Sequence, residues 1–225
     1  MQLDATLFPT FVRMHAITFD PERDGTGDIA MPPALGRAVP KRRAEFAAGR
    51  RCAREALRAL APELAGIEVG IGSQREPLFP AAAVGTISHA RGIAAAAVAP
   101  SAHATGIGLD IEYWVADSRE IDEQVLVGGE AARLATQTGW AHTRVATFVF
   151  SAKESLYKSL FPSVQTYFDF QDAELVAIDP RACTFEARLR VPLAGGFRAG
   201  ETFAGRFALA DEYVVTALLR ERGAR

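Results

Sequence analysis

AHTRVATFVFSAKESLYKSL, residues 141–160, is the stretch on which the fold turns. It contains neither Gly nor Pro, and it is long enough for about five helical turns. Phe148, Phe150, Leu156, Tyr157 and Leu160, with Phe161 just beyond, make it strongly apolar. The reading is a long helix over Ala141–Leu160, stopped by Pro162, whose ring and missing N–H oppose a helix interior. Upstream, Ile107–Tyr113 (IGLDIEY) reads as a strand and Glu130–Thr138 as a short helix after Gly128-Gly129. Downstream, ELVAI, CTFEARLRV, ETFAGRFAL and EYVVTALLR, within residues 174–220, read as antiparallel strands.

The same grammar is present in the first half. Phe11–Phe19 alternates like a strand, and Asp20–Gly27 is a polar loop. Pro40–Leu60 is a helix with Phe46, Ala53, Ala56, Leu57 and Leu60 at three- and four-residue spacing, ended by Pro62. Gly70–Pro80 is a loop, followed by strands Val84–Ser88 and Ile93–Val98 joined through His89-Ala90-Arg91-Gly92. Pro100–Thr105 is the linker. Strand, long helix and further strands occur twice, which predicts an α+β protein of two similar lobes with the active site in the cleft between them. The lobes are residues 1–103 and 104–225. No repeat is visible in the residues themselves.

The 225 residues are 49% apolar, enough to bury a core, and the formal net charge is -2. Bulk charge therefore points to neither nucleic acid nor an anionic membrane. Charge is uneven, however: Pro40–Arg58 is basic and Asp110–Glu123 acidic. Cys52 and Cys183 fit no disulfide framework or zinc spacing. The N-terminus does not read as a signal peptide, and the longest apolar run, Gly92–Ala99, is too short for a bilayer. A cytoplasmic location is expected.

Asp110 and Glu112 lie two apart in a strand, so both point to one face, while Ile107, Leu109 and Ile111 take the other. Paired carboxylates suit a hard cation such as Mg²⁺, which keeps waters and takes substrate phosphate oxygens. A half-exposed strand with two solvated acids fits the pattern too. Glu154 and Lys158 share a helix face one turn apart; they are either a surface ion pair or, in so apolar a helix, groups directed into a site. Lys153 reads as the more exposed neighbour, or as one that touches a ligand only peripherally. His89 is either a surface turn residue or, with Ser88, a phosphate donor. Arg43, Arg50, Arg54 and Arg58 form either a solvated basic face or a phosphate grip. Walker, G-x-G-x-x-G and G-x-S-x-G motifs are absent from the sequence.

Taken together, GTISHARG (85–92), GIGLDIE (106–112) and FSAKESLYK (150–158) resemble three motifs of the two-lobed phosphopantetheinyl transferases that prime peptide and polyketide synthases. The first is similar to the family's serine–histidine segment, the second to its G-x-D-x-E metal strand, and the third to its W/F-S-x-K-E-x-x-x-K helix. KRRAEFAAGRRCAREAL (41–57) and REPLFP (75–80) resemble its first-lobe helix and the loop before the histidine strand. Order and spacing agree over roughly residues 37 to 170, and the likeness is closest to the siderophore-synthesis subgroup.

The resemblance implies Mg²⁺ held by Asp110, Glu112 and Glu154, with coenzyme A as substrate. Lys158 would contact the pyrophosphate, and His89, supported by Ser88, a coenzyme phosphate. Lys41, Arg42 and Arg50 of the first lobe, and Arg75, would grip the 3′-phosphate end. Glu154, directly or through a water, would take a proton from a carrier-protein serine. The acceptor would be an acyl or peptidyl carrier protein, docking at Val115–Trp140 through the apolar side chains of VLVGGEAARLA (125–135). Neither nucleic acid nor stable membrane insertion is implied, and a monomer is expected. The alternatives are a non-catalytic module binding coenzyme A or a carrier, and a Mg²⁺-dependent nuclease.

Overall fold

The structure, a computed structural model, describes residues 3–23 and 25–223. The chain forms two compact units, one ending at Thr105 and taking the chain back at Arg222, the other running Gly106–Glu221.

In the first unit, β1 (Arg13–Thr18) is followed by α1 (Pro40–Leu60), whose ends are those expected from Pro40 and Pro62. The segment expected as a plain loop carries a minimal hairpin, β2 (Gly70–Ile71) with β3 (Pro77–Leu78). Then come β4 (Ala83–Ala90) and β5 (Ile93–Pro100). The sheet order is β1-β5-β4, antiparallel throughout. Ala94, Ala96 and Val98 of β5 pack against Ala48, Cys52, Ala53, Ala56 and Leu57 of α1. Small side chains on both partners let helix and sheet approach closely. The connection from β4 to β5 is tighter than its sequence suggests. Only Arg91 and Gly92 turn, both at positive φ as a two-residue hairpin of this twist requires. His89 is thus a strand residue opposite Ala94 rather than part of a connection.

β6 (Ala104–Tyr113) leads into the second unit from Gly106 on, followed by α2 (Arg119–Gln124), α3 (Glu130–Thr138) and α4 (His142–Val164). The tail supplies the four expected strands: β7 (Ala173–Asp179), β8 (Thr184–Leu189), β9 (Thr202–Leu209) and β10 (Tyr213–Glu221). The order β6-β10-β9-β8-β7 places the first strand of the unit beside the last. Pro162 does not stop α4; it lies inside the final turn. A proline there removes one hydrogen bond where little helix is left to lose. The helix ends at Gln165, whose left-handed backbone lets its N–H reach the Phe161 carbonyl at 2.8 Å.

β6 lies directly against the backbone of α4. A Cβ on Gly108 would stand 1.8 Å from the Ser155 carbonyl oxygen, and one on Gly106 would stand 1.9 Å from that of Ser159. Ser151, Ser155 and Ser159 are fully buried at four-residue steps on α4. Their hydroxyls are satisfied at short range: Ser155 and Ser159 donate to carbonyls three residues back, and Ser151 pairs with Thr216 of β10 at 2.9 Å. On the opposite face of β6, Ile107, Leu109 and Ile111 are buried as expected. The apolar residues expected to greet a carrier protein are instead core: Val125, Val127, Ala131 and Leu134 are buried, and Val125, Ala131 and Leu134 pack on α4 and β7 neighbours such as Phe148 and Leu175. The 3.6-residue period that marks an apolar helix face does not say whether that face meets a partner or the chain's own core.

Candidate active site

The glycine–serine seam decides where the next residues on the same face of β6 point. Residues 106, 108, 110 and 112 share that face, so once the glycines have brought the strand against α4, Asp110 is turned toward the same helix. Lys158 Nζ meets it there, 2.6 Å from Asp110 Oδ1, and also donates to the Leu109 carbonyl at 3.2 Å. Glu154, one turn back on α4, lies 3.8 Å from the same ammonium. Asp110 is 3% exposed, whereas Glu154 and Lys158 keep about a quarter of their side-chain surface open. Glu112 is partly exposed further along the face.

Electrostatics follow from this crowding. Burial pulls the Lys158 ammonium toward neutrality, but Asp110, then Glu154 and Glu112, oppose it and hold its pKa above the ordinary lysine value. Burial pushes the Glu154 carboxyl up; Lys158 counters and Asp110 adds to the rise. Three carboxylates bear on one ammonium, so the formal charge is three negatives against one positive, an excess of two. Among the described residues, no three carboxylate, imidazole or thiolate side chains already converge as a metal cage. The donor set nonetheless fits a divalent hard cation. All three groups are oxygen donors, Asp110 and Glu112 share a face of β6 while Glu154 comes from α4 to the same ammonium, and the excess charge of the cluster equals that of such an ion.

A cavity of about 210 Å³ opens beside Glu154, walled chiefly by Tyr157, Tyr167, Phe168 and Phe170, with Lys153 and Asp169 also in its lining. Tyr157 stacks on Phe161 and meets Phe168 at a tilt, with ring centroids 5.5 and 4.7 Å away, while Tyr167 is 68% exposed. The aromatic run Tyr167–Phe170 was not singled out from the sequence. Its signal, three aromatics within four residues just after a helix, was available.

The basic cluster belongs to the first unit. Arg42 Nη1 lies 3.2 Å from His89 Nε2 and 3.7 Å from Glu45, and His89 Nδ1 is 4.0 Å from the same glutamate. The structure thus brings Arg42 and His89 together, with Glu45 as an acid that sequence reasoning missed. Lys41 is exposed one residue away on the first turn of α1. Ser88 is buried, and as the strand neighbour of His89 it faces the other side of β4. Arg50 donates to the Gly70 carbonyl at 3.0 Å and lies over the Phe46 ring; burial brings its pKa down to about 10. Arg54 pairs with Asp28 at 2.6 Å and Arg58 with Glu55 at 2.7 Å, so much of the basic face serves the fold. Arg75 is exposed at the β2–β3 tip with a left-handed backbone.

Lys153 departs most from expectation. It is 2% exposed, not the outward lysine of the helix, and donates to Glu130 at 3.0 Å and to the Val125 carbonyl at 2.8 Å. Burial lowers its pKa; Glu130 resists that.

The chain matches two family descriptions. Residues 32–99 match the 4'-phosphopantetheinyl transferase N-terminal domain, and residues 106–217 match the 4'-phosphopantetheinyl transferase superfamily. Among curated proteins it is 36% identical to the 4'-phosphopantetheinyl transferase Svp of Streptomyces mobaraensis, over 95% of this chain and 87% of that one. It is 30% identical to the 4'-phosphopantetheinyl transferase Npt of Nocardia iowensis, over 95% of this chain and 97% of that protein. Identity to enterobactin synthase component D of Escherichia coli (strain K12) is 30%, over 90% of this chain and 91% of the other.

Proposed function

The chain belongs to the 4'-phosphopantetheinyl transferase superfamily, and we propose that it moves the phosphopantetheine arm of coenzyme A onto a serine of an apo acyl or peptidyl carrier protein, releasing 3′,5′-ADP. The observation that carries this reading is the Asp110–Lys158–Glu154 cluster, held in place by the glycine–serine seam between β6 and α4. Likeness to an enterobactin synthase component supports a role in siderophore or other secondary-metabolite synthesis. No observation favours the binding-module or nuclease alternative.

Asp110, Glu112 and Glu154 would hold Mg²⁺, which when bound would offset the charge of the pyrophosphate. Lys158 would turn its remaining N–H to a phosphate oxygen and stabilise charge as it develops on the leaving 3′,5′-ADP. Glu154 would take the proton of the carrier serine hydroxyl, whose oxygen attacks the β-phosphorus. Its raised proton affinity suits a general base better than an ordinary carboxylate would. The aromatic cavity beside Glu154 suits the uncharged pantetheine arm. In the first unit, which we take as the 3′-phosphate side, Arg42, His89 and Lys41 would meet the phosphate. Arg50, through Gly70, and Ser88, within the sheet, would support that set, and Arg75 would reach in from the hairpin tip. We assign residues 1–103 and 104–225 as the two lobes. We also assign a monomer acting in the cytoplasm, where coenzyme A and carrier proteins meet. No described helix is long and apolar enough to cross a membrane.

The test is the intact mass of an apo carrier protein after incubation with this protein, coenzyme A and Mg²⁺. We expect the mass of one phosphopantetheine arm to be gained, and the gain to vanish in EDTA. Glu154→Gln is expected to abolish turnover while coenzyme A still binds. A gain that persists in EDTA would remove the metal from this reading. Full activity of Glu154→Gln would remove the base, and no gain on peptidyl, polyketide and fatty-acid carriers alike would remove the transferase function.

A further inference from the structure

Glu130 opens α3 and has no place in the transfer chemistry, yet it is 1% exposed and fully engaged. Its Oε2 accepts from Lys153 Nζ at 3.0 Å and from the Val127 N–H at 3.0 Å. Its Oε1 accepts from the Leu175 N–H at 2.5 Å. Leu175 sits where the β7–β8 register shifts, on the edge strand of the sheet. One carboxylate therefore joins the turn before α3, the edge strand β7 and the helix α4. Lys153 adds a second tie to that turn through the Val125 carbonyl.

A buried ion pair is a poor way to gain stability, because apolar residues of similar volume serve as well or better. What the pair supplies is direction. Successive side chains on a helix are rotated by about 100°. Counted that way around α4, Ser151, Ser155 and Ser159 form one side and Lys153 lies well away from them. Glu154 and Lys158 come between the two. The serine seam fixes one flank of this arc against β6, and Lys153, held by Glu130, fixes the other. A helix anchored on both flanks cannot roll about its axis, and a roll is the motion that would swing Glu154 away from Asp110 and Lys158.

We propose that Glu130 is a positioning residue for the transfer reaction, acting through Lys153 to set the rotation of α4 and hence the aim of Glu154. The proposal rests on the transferase reading of the Asp110–Lys158–Glu154 cluster. Glu130 touches no substrate; its effect is entirely on where the base stands. Misplacing a reacting group by about 1 Å can cost on the order of 10²-fold in rate. The rate constant should therefore suffer more than coenzyme binding when Glu130 alone is changed and Lys153 stays in the wall of the cavity beside Glu154.

The experiment uses the full-length protein with coenzyme A, Mg²⁺ and an apo carrier. The double variant E130M/K153M removes both charges together and keeps apolar volume. We expect it to fold, with an unfolding midpoint above that of K153M alone, and its kcat to fall on the order of 10²-fold. E130Q, which keeps shape, removes charge alone and leaves Lys153 in the cavity wall, should lose kcat while its KM for coenzyme A moves less than about threefold, and E130D should recover part of the loss. A folded variant with kcat within about threefold of wild type overturns the proposal. So does a loss confined to KM. Failure of both E130M/K153M and E130Q to fold also overturns it, since the pair would then serve stability alone. Inactivity of the wild type on every carrier would instead strike the transferase reading, and wild-type activity beside each variant keeps the two failures apart.

Discussion

Lys153 and Lys158 stand five residues apart on one helix, each against a carboxylate at hydrogen-bonding distance, yet they are opposite kinds of ion pair. Lys153 faces chiefly Glu130 and is shut from water, and burial lowers its pKa despite its partner. Lys158 faces Asp110, Glu154 and Glu112, keeps 24% of its side chain exposed, and has its pKa raised despite burial. The first pair is charge-balanced and closed. The second carries surplus negative charge and is open. Closed and balanced suits a strut; open and unbalanced suits a place where a cation and a phosphate arrive. The difference teaches that neither lysine's role follows from its having a partner. It follows from how many carboxylates surround it and whether water can enter.

The largest expected effect breaks the closed pair by halves. Lys153→Met leaves the Glu130 carboxylate buried with its two backbone donors but no counter-ion. This should cost about 3–5 kcal/mol of unfolding free energy, read by denaturant titration. Adding Glu130→Met should return most of it. If the single variant lost less than about 1 kcal/mol, the pair would be of the weak surface kind and the contrast between the two lysines would collapse.

A smaller effect is expected from separating the open pair without touching its charges. Gly108→Ala would place a methyl group 1.8 Å from the Ser155 carbonyl, a backbone atom that cannot swing aside. Strand and helix must part, at about 1–3 kcal/mol. Asp110, two residues on, would be drawn off Lys158, whereas Lys153 and Glu130 lie away from the seam. Transfer should therefore fall further than stability. Equal loss of both would mean that β6 moves as part of the core and does not aim Asp110 separately.

These contrasts also mark where the sequence was legible. The ends of α1, the four strands of the tail and the shared face of Asp110 and Glu112 all followed from local pattern: two prolines, alternation, and a spacing of two. Lys153 did not. α4 is apolar on nearly every side, so periodicity offers no rule for which lysine points out. The partner that decides it, Glu130, is 23 residues away and belongs to another helix. Val125 and Val127 failed for a related reason, since an apolar side chain reads the same under a core and under a docking partner. His89 was misplaced by two residues of strand because Arg91-Gly92 closes a tighter turn than His89–Gly92 would.

The smallest expected effect is the most discriminating, because it has the opposite sign. Glu154 is ionised at a cost: burial and Asp110 raise its pKa, with Lys158 only partly compensating. A carboxyl whose pKa is raised on folding binds protons more tightly in the native state than in the unfolded one. Its destabilisation is therefore absent at low pH and grows as pH rises from the unfolded value of about 4.5 through the raised native one. Removing that charge relieves the strain. In EDTA, Glu154→Gln should be more stable to unfolding by about 0.5–1 kcal/mol near neutral pH, and the gain should shrink toward zero below the unfolded pKa. The same substitution that is expected to end turnover should thus make the protein more stable, the reverse of Lys153→Met. A Glu154→Gln protein less stable than wild type across this range would mean that Lys158 already balances the cluster. The surplus negative charge on which the metal assignment rests would then be absent.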